Sequence, residues 1–370
     1  MPLTLHPLLS ERSLIEILRD GGVVGAGGAG FPTWAKLTRP QPFLVVNAQE
    51  SEPGYFVDKW LHAHHPQELL DVLAWLRGQG IGKTIIAAKL KDRAWFARME
   101  QLAGVDVGAA RVLDCTGRNR HVLADQPEPV LFTYSDDRYA YGMETALLMI
   151  VAGQKIPQGE RPSQHGFVVV NSETLFNIHQ VLTTGVPVVD KYVHVYGAAP
   201  RHTFRYVPVG TPARVVLEDA GIGLDEIAAR GFVVVDGGPG WFSPVDPARA
   251  VVTRRTNSLL VLDPAVVDVT KKDVFHTPTK PGYPAPETVL TTSPSPLSTT
   301  SVRLPLIDNP AFKAVTPAVP VVVVGDVVVR GQRVAAASVD GISVDVHASI
   351  AGRVVGVGEG GIEIDASSLA

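Results

Sequence analysis

The stretch GGVVGAGGAGFPTWAKL, Gly21–Leu37, decides how the rest of the chain is read. Six glycines fall between Gly21 and Gly30, and Phe-Pro-Thr and one lysine follow. Glycine has no Cβ, so backbone N–H groups in such a loop can approach a phosphate closely and φ can be positive. FPTWAKL is expected to open a helix, whose N-terminal field would add to the attraction, with Lys36 one turn in. A nucleotide or flavin phosphate fits this physics. A plain glycine turn also fits, because no clear strand leads straight into the loop as the usual dinucleotide fingerprint requires.

Outward from the loop, strands and helices alternate. PFLVVNA (Pro42–Ala48) is a short β-branched run expected as a buried strand. PQELLDVLAWLRGQG reads as an amphipathic helix, KTIIAAKL as a strand, RAWFARMEQLAG as a helix and ARVLDC as a strand. RYAYGMETALLMIVAG (Arg138–Gly153) has helical period, and FVVVNSETLFNIHQVL reads as a strand turning into a helix near Asn171. Upstream, Ser10 is expected to cap a short helix that Gly21 and Gly22 end. The alternation makes this half α/β with a mostly parallel sheet. From about Pro187 short strands dominate, with one helix, ARVVLEDAG. Residues 277–300 are rich in Pro, Ser and Thr and read as an extended linker. A last β module begins near VPVVVVGDVVV. The expected division is therefore 1–185 α/β, 186–265 β-rich, 266–314 linker and 315–370 β module. No short-period tandem repeat is visible.

Composition narrows the function. The chain has 370 residues, 45% hydrophobic and 19% charged, which suits two or three globular domains. A net charge of -4 argues against general nucleic-acid binding. One cysteine, Cys115, excludes an internal disulfide framework and an all-cysteine iron–sulfur cluster held by this chain alone. The N-terminal residues carry no basic region ahead of their apolar ones, and the apolar runs are too broken to span a bilayer, so a cytoplasmic location is expected.

The loop NAQESEPG (Asn47–Gly54) follows the first expected strand, where α/β sheets place ligand-binding loops. Asn47 can hydrogen-bond a flavin ring edge or a ribose, and Glu50 and Glu52 can accept from hydroxyl or amide donors. A solvated acidic loop is the plainer alternative.

Four motifs together carry a resemblance. GAGGAGFPTWAKL resembles the GRGGAGFPTGLKW loop of the NADH-binding flavoprotein subunit of respiratory complex I. NAQESEPG resembles its NADESEPG, YAYGMETALL (Tyr139–Leu148) its AYxCGEETAL, and VNSETLFNI (Val170–Ile178) its NNVETLxxV. TRRTNSLLVLD is similar to the TKxTNGILVL of the C subunit of the Rnf-type ferredoxin:NAD oxidoreductase. GDVVVRGQRVAA…VHASIAGRV is similar to that subunit's barrel-sandwich module, here at the C-terminal end as in the cobalamin reductase of propanediol utilisation. The resemblance implies a Rossmann-like FMN-binding domain over 1–185, a soluble-ligand-binding β-grasp domain over 186–265 and a lipoyl-like barrel-sandwich module over 315–370.

By position it implies that Gly25, Gly27, Gly28, Gly30 and Lys36 surround the FMN phosphate and ribitol. Asn47, Glu50, Tyr139, Gly142, Asn171 and Thr174 would line the flavin, and Phe31, Glu52 and Glu144 would face the nicotinamide nucleotide. The chain departs from the family at four places. Ala26 stands for the loop arginine, Gln49 for the loop aspartate, Met143 for the first glutamate of GEET and Val170 for the first asparagine of NNVET. The 266–314 linker stands where the relative has its cluster domain, so electrons would pass from FMN directly to cobalamin or a partner redox protein.

Other motifs have plainer readings. His62, His64 and His65 in HAHH fit a solvated helix end better than a metal site. Cys115 fits a small core residue. Asp136 and Asp137 fit a helix N-cap, and GGPGWF (Gly237–Phe242) a tight turn. AASVDGIS in the last module has no lysine, which argues against a swinging-arm carrier. The expectation is an FMN-dependent NADH oxidoreductase without an iron–sulfur cluster. The alternative is a binding or assembly protein that keeps the fold without flavin redox function. The oligomeric state is not set by the sequence.

Overall fold

The computed structural model describes residues 3–50, 54–105, 111–112, 130–238, 242–267 and 293–367. Glu52, Cys115, most of the expected linker and the middle of GGPGWF lie outside them. The chain divides into two compact units. The first holds residues 1–18, 33–51 and 56–185, and the second holds 19–32, 52–55 and 186–370.

The first unit is built on one sheet. Strands β1 (Gln41–Ala48), β2 (Ile81–Lys89), β3 (Arg111–Val112), β4 (Val130–Ser135) and β5 (Phe167–Asn171) pair in the order β3-β4-β2-β1-β5. Every pairing is parallel. Strands covered on both faces read as continuous apolar runs, which is why LVV and TIIAA lack a polar alternation. Val45, Ile85, Ala87 and Phe167 pack against helix α5 (Glu144–Ala152). Leu44 and Val46 point to the other face and are equally buried. That face is covered by α3 (Pro66–Gly78) and α6 (Ser172–Thr184), with α2 (Val57–His64) and α4 (Ala97–Leu102) packed on them.

Three local expectations are corrected. FPTWAKL forms only a 3₁₀ turn, Thr33–Lys36. Arg39 precedes a proline, which disfavours helical backbone there, and β1 begins at Gln41, so no helix has room to grow. Helix α1 (Leu14–Asp20) is capped by Ser13. Ser13 Oγ accepts from Glu16 N at 3.3 Å while Glu16 Oε2 accepts from Ser13 N at 2.9 Å, a capping box. Ser10 closes the preceding turn by donating to Pro7 O. Asp137 caps no helix either, since it is paired with Lys89 at 2.6 Å and Lys91 at 2.5 Å.

In the second unit, β6 (Asp190–Gly197), β7 (Thr203–Pro208), β8 (Val233–Gly237), β9 (Phe242–Pro244), β10 (Ser258–Leu262) and β11 (Ser295–Pro296) form a six-stranded sheet in the order β11-β7-β6-β10-β8-β9. Helices α7 (Ala213–Asp219) and α8 (Leu224–Arg230) bury Val216, Leu217 and Ile227 against Val193, Val195 and Val261 of that sheet. β12 (Ser301–Leu304), β13 (Val319–Pro320), β14 (Val327–Val328), β15 (Arg333–Ala336), β16 (Val346–His347), β17 (Gly352–Gly358) and β18 (Gly361–Asp365) make two further sheets, β12-β18-β17-β14 and β13-β15-β16. They share a core of Leu304, Val328, Val334, Val354, Ile362 and Ile364. Residues 295–304 carry linker-like composition, yet they supply β11 and β12. Among the described residues no helix is long and apolar enough to cross a membrane.

His62 corrects the solvated reading of HAHH. It is fully buried where α2 meets α6, with Nε2 2.9 Å from Ser172 Oγ and Nδ1 2.9 Å from Met99 Sδ. Burial holds its pKa well below the ordinary 6.5, at about 3. The unfolded chain therefore takes up this proton on acidification before the folded protein does. Stability falls as pH drops from 6.5 towards 3, by about 1.4 kcal/mol per pH unit for this group. In urea titrations across that window, His62→Gln should lose stability less steeply than the wild type. Parallel slopes would show that His62 does not stay neutral.

Candidate functional site

Register aligns the candidate residues of the first unit. Asn47 on β1 lies opposite Asn171 on β5, both at the carboxyl edge of the sheet. Ligands of open parallel sheets bind along that edge. Asn47 Nδ2 donates to Gly142 O at 2.8 Å, and its Oδ1 accepts from Gln49 N at 3.3 Å. Asn171 caps α6, accepting from Thr174 N at 2.9 Å and Thr174 Oγ1 at 2.5 Å. Its amide donates to Asp58 Oδ1 at 3.1 Å. Lys36 Nζ donates to Val169 O at 2.9 Å and to Glu144 Oε1 at 3.4 Å. An ammonium has three donors, so one remains for a further acceptor. Gly142 ends a 3₁₀ turn, Tyr139–Gly142, and Met143 is extended, so α5 begins only at Glu144. Tyr139 and Met143 stand exposed beside it.

A buried charge cluster supports this edge. Glu50 is the one non-glycine with positive φ among the described residues, +29°. Its side chain is 1% exposed and accepts from Asp58 N at 3.1 Å and Lys59 N at 3.3 Å. Lys59 Nζ lies 3.6 Å from Glu50 and 3.3 Å from Asp92. Burial raises the Glu50 pKa well above the carboxylate range against the pull of Lys59. Burial also works against a charged Lys59, but Glu50 and Asp92 outweigh it and its pKa rises. Asp58 ties the cluster to Asn171 and to Glu173 N. Glu50 and Thr174 thus use their polar atoms internally, Glu50 tying its loop to α2 and Thr174 holding Asn171. The sequence reading missed Asp58, Lys59 and Asp92. The signal for Asp58 and Lys59 was a charged pair inside the apolar run FVDKWL; Asp92, in LKDRAWF, had none.

The glycine loop belongs to the second unit. Gly25 N donates to Phe31 O at 2.9 Å and Gly30 N to Gly25 O at 2.8 Å, closing a compact turn. Gly28 and Gly30 have φ of +98° and +65°, which glycine adopts without strain. The loop carbonyls are captured from TRRTN and from Asn309. Arg254 donates to Gly22 O at 3.0 Å, Arg255 Nη1 to Gly28 O at 3.3 Å and Asn309 Nδ2 to Ala29 O at 2.8 Å. The amides of Gly27, Gly28 and Ala29 have no hydrogen-bond partner among the described residues. Phe31 is buried, its ring edge-on to Phe312 at 5.3 Å. Among the described residues no group of three or more His, Cys, Asp or Glu side chains is placed to hold a metal.

Residues 18–180 match the family described as the Nuo51 FMN-binding domain, and residues 297–367 match the RnfC barrel sandwich hybrid domain. The chain resembles the Nuo51, RnfC and PduS superfamily. Cobalamin reductase PduS of Citrobacter freundii is 30% identical over 255 residues, 69% of this chain and 51% of PduS. The C subunit of the ion-translocating oxidoreductase complex of Vibrio cholerae is 27% identical over 259 residues, 68% of this chain and 30% of its own length. This chain thus spans about half the length of PduS and under a third of the Vibrio cholerae protein. A chain of an NAD+-reducing NiFe hydrogenase in its H2-reduced state aligns with a TM-score of 0.52 at 23% identity, over 70% of this chain and 48% of that one. That likeness is one of fold.

The charge cluster gives a direct test. Lys59→Met should cost about 3 kcal/mol or more, because it strands buried carboxylates. Urea denaturation at pH 7 checks this, and an unchanged midpoint would show that the cluster is not ion-paired.

Proposed function

We propose that this chain binds FMN, reduces it with NADH and passes the electrons to an external acceptor, cobalamin or a partner redox protein. When bound, FMN supplies hydride acceptance and release of electrons singly or in pairs. The observation that carries the reading is the crest of the glycine loop. Three consecutive backbone donors, at Gly27, Gly28 and Ala29, lack partners among the described residues, in the stretch that resembles a flavin phosphate loop. Successive backbone N–H groups of this kind form an anion-binding concavity, so the residues present fit the group.

Within the second unit, Gly27 and Gly28 serve the phosphate on a turn that Gly25 and Gly30 close, and Phe31 serves the nicotinamide nucleotide. Within the first, Lys36, Asn47, Tyr139, Gly142 and Asn171 serve the flavin, supported by Glu50 and Thr174. Glu144 there, and Glu52 by resemblance, serve the nicotinamide nucleotide. These residues bind and orient, since hydride transfer needs no protein acid or base. The first unit is read as a Rossmann-like domain, and the six-stranded sheet with α7 and α8 as a β-grasp ligand-binding domain. The single cysteine supports direct transfer from the flavin to an acceptor outside the chain. Similarity to proteins named cobalamin reductase and ion-translocating oxidoreductase supports the reaction class.

The test is the visible spectrum of protein incubated with FMN, desalted and titrated anaerobically with NADH. Retained flavin bands that bleach are expected. Retained bands that do not bleach would overturn NADH as donor. A colourless protein would overturn the reading in favour of a binding or assembly role.

A further inference from the structure

The glycine loop closes its own turn and is also gripped from its carbonyl side. Arg255 Nη1 holds Gly28 O and Asn309 Nδ2 holds Ala29 O. In a planar trans peptide the C=O of one residue and the N–H of the next point in opposite directions. The Arg255 bond to Gly28 O therefore turns the Ala29 N–H away from the guanidinium. The Asn309 bond to Ala29 O likewise turns the Gly30 N–H away, and that group closes the turn on Gly25 O. The gripping residues are themselves fixed. Arg255 Nε donates to Asp308 O at 2.9 Å, and its Nη2 lies 3.4 Å from Asp236. Arg254 pairs with Asp308 at 2.7 Å in a nearly dry setting, both side chains under 5% exposed. Arg254 also spans Gly22 O and Asp345 O. A Cβ on Gly30 would stand 2.9 Å from Arg255 Cδ and 3.1 Å from Asp308 Cβ, which shows how closely the grip fits the loop.

We propose that Arg255 and Asn309 are positioning residues of the glycine loop, Arg255 aiming the Ala29 amide at a phosphate and Asn309 holding the Ala29–Gly30 peptide that closes the turn beneath it, and that they so set the preference of this chain for a phosphorylated flavin. The inference rests on the FMN reading above. It adds two residues from outside the glycine loop, one from the TRRTN segment and one from a stretch whose composition reads as linker. Both act through the loop backbone. The Arg255 guanidinium is paired with Asp236 and also bonds the Asp308 carbonyl.

The test compares FMN with riboflavin, which lacks the phosphate, by fluorescence titration of wild type, Arg255→Ala and Asn309→Ala. Asn309 is partly exposed, so its variant keeps the fold even if Arg255→Ala does not; thermal melts of the flavin-free proteins check this. Wild type should favour FMN over riboflavin by well over tenfold. Each variant should weaken FMN binding by about tenfold, the scale of one charge-assisted or well-aimed hydrogen bond, and leave riboflavin binding unchanged. A merely structural role would weaken both flavins together, and that result overturns the inference. A wild-type preference for FMN that both variants retain also overturns it and leaves the FMN reading standing. Wild type that binds the two flavins equally overturns it as well. Wild type that binds neither overturns the inference and the FMN reading together.

Discussion

Strand β1 runs parallel between β2 and β5, and its register sets Asn47 beside Asn171 at the edge where both strands end. A slip of one residue would turn Val45 away from α5 and move Asn47 out of line. Leu44, Val45 and Val46 are all fully buried, so a slip would exchange close-packed side chains between the two faces. The two asparagines are then held by different devices. Asn171 is tied to the first turn of α6 as its cap, and Asn47 reaches across to the carbonyl of Gly142. Helix, sheet and 3₁₀ turn thereby meet at one edge.

Below that edge lies an arrangement that stability alone would not favour. Glu50, Lys59 and Asp92 are buried, and an apolar replacement of such a group is often no less stable. Glu50 is also held at positive φ, where a non-glycine residue is strained. Strain and buried charge at one residue, in the loop that leaves β1, mark a place where conformation is fixed at an energetic cost. The gain is a fixed link between that loop and the first turn of α2. Gln49 contributes through the same loop. It is fully buried and bridges Ala88 O and Ser135 Oγ, so the amide is part of the framework.

Much of this was legible in the sequence because it was written locally. Strand and helix periods located the parallel sheet, and the strand-to-helix turn at Asn171 was visible in NSET. The misses share a cause, which is that the deciding partner lies far along the chain. His62 is buried because Ser172 and Met99 close over it, and Asp137 is drawn to Lys89 and Lys91 instead of to a helix end. Ser301–Leu304 is a strand because β18 pairs with it, although its neighbourhood has the texture of a linker. Arg255 and Asn309 act on a loop more than two hundred residues away, and no local pattern could connect them. The glycine loop itself was readable as a candidate phosphate site. Its direction was not, because that is set by side chains from those distant segments.

The central claim is that the Gly27–Ala29 amides receive the phosphate of a bound flavin. The most direct measurement is a crystal structure of the protein grown with FMN. Phosphate density is expected within hydrogen-bond distance of those amides, with Gly28 O still on Arg255 and Ala29 O still on Asn309. FMN bound with its phosphate elsewhere, or a loop whose amides face protein acceptors while FMN is present, would contradict it.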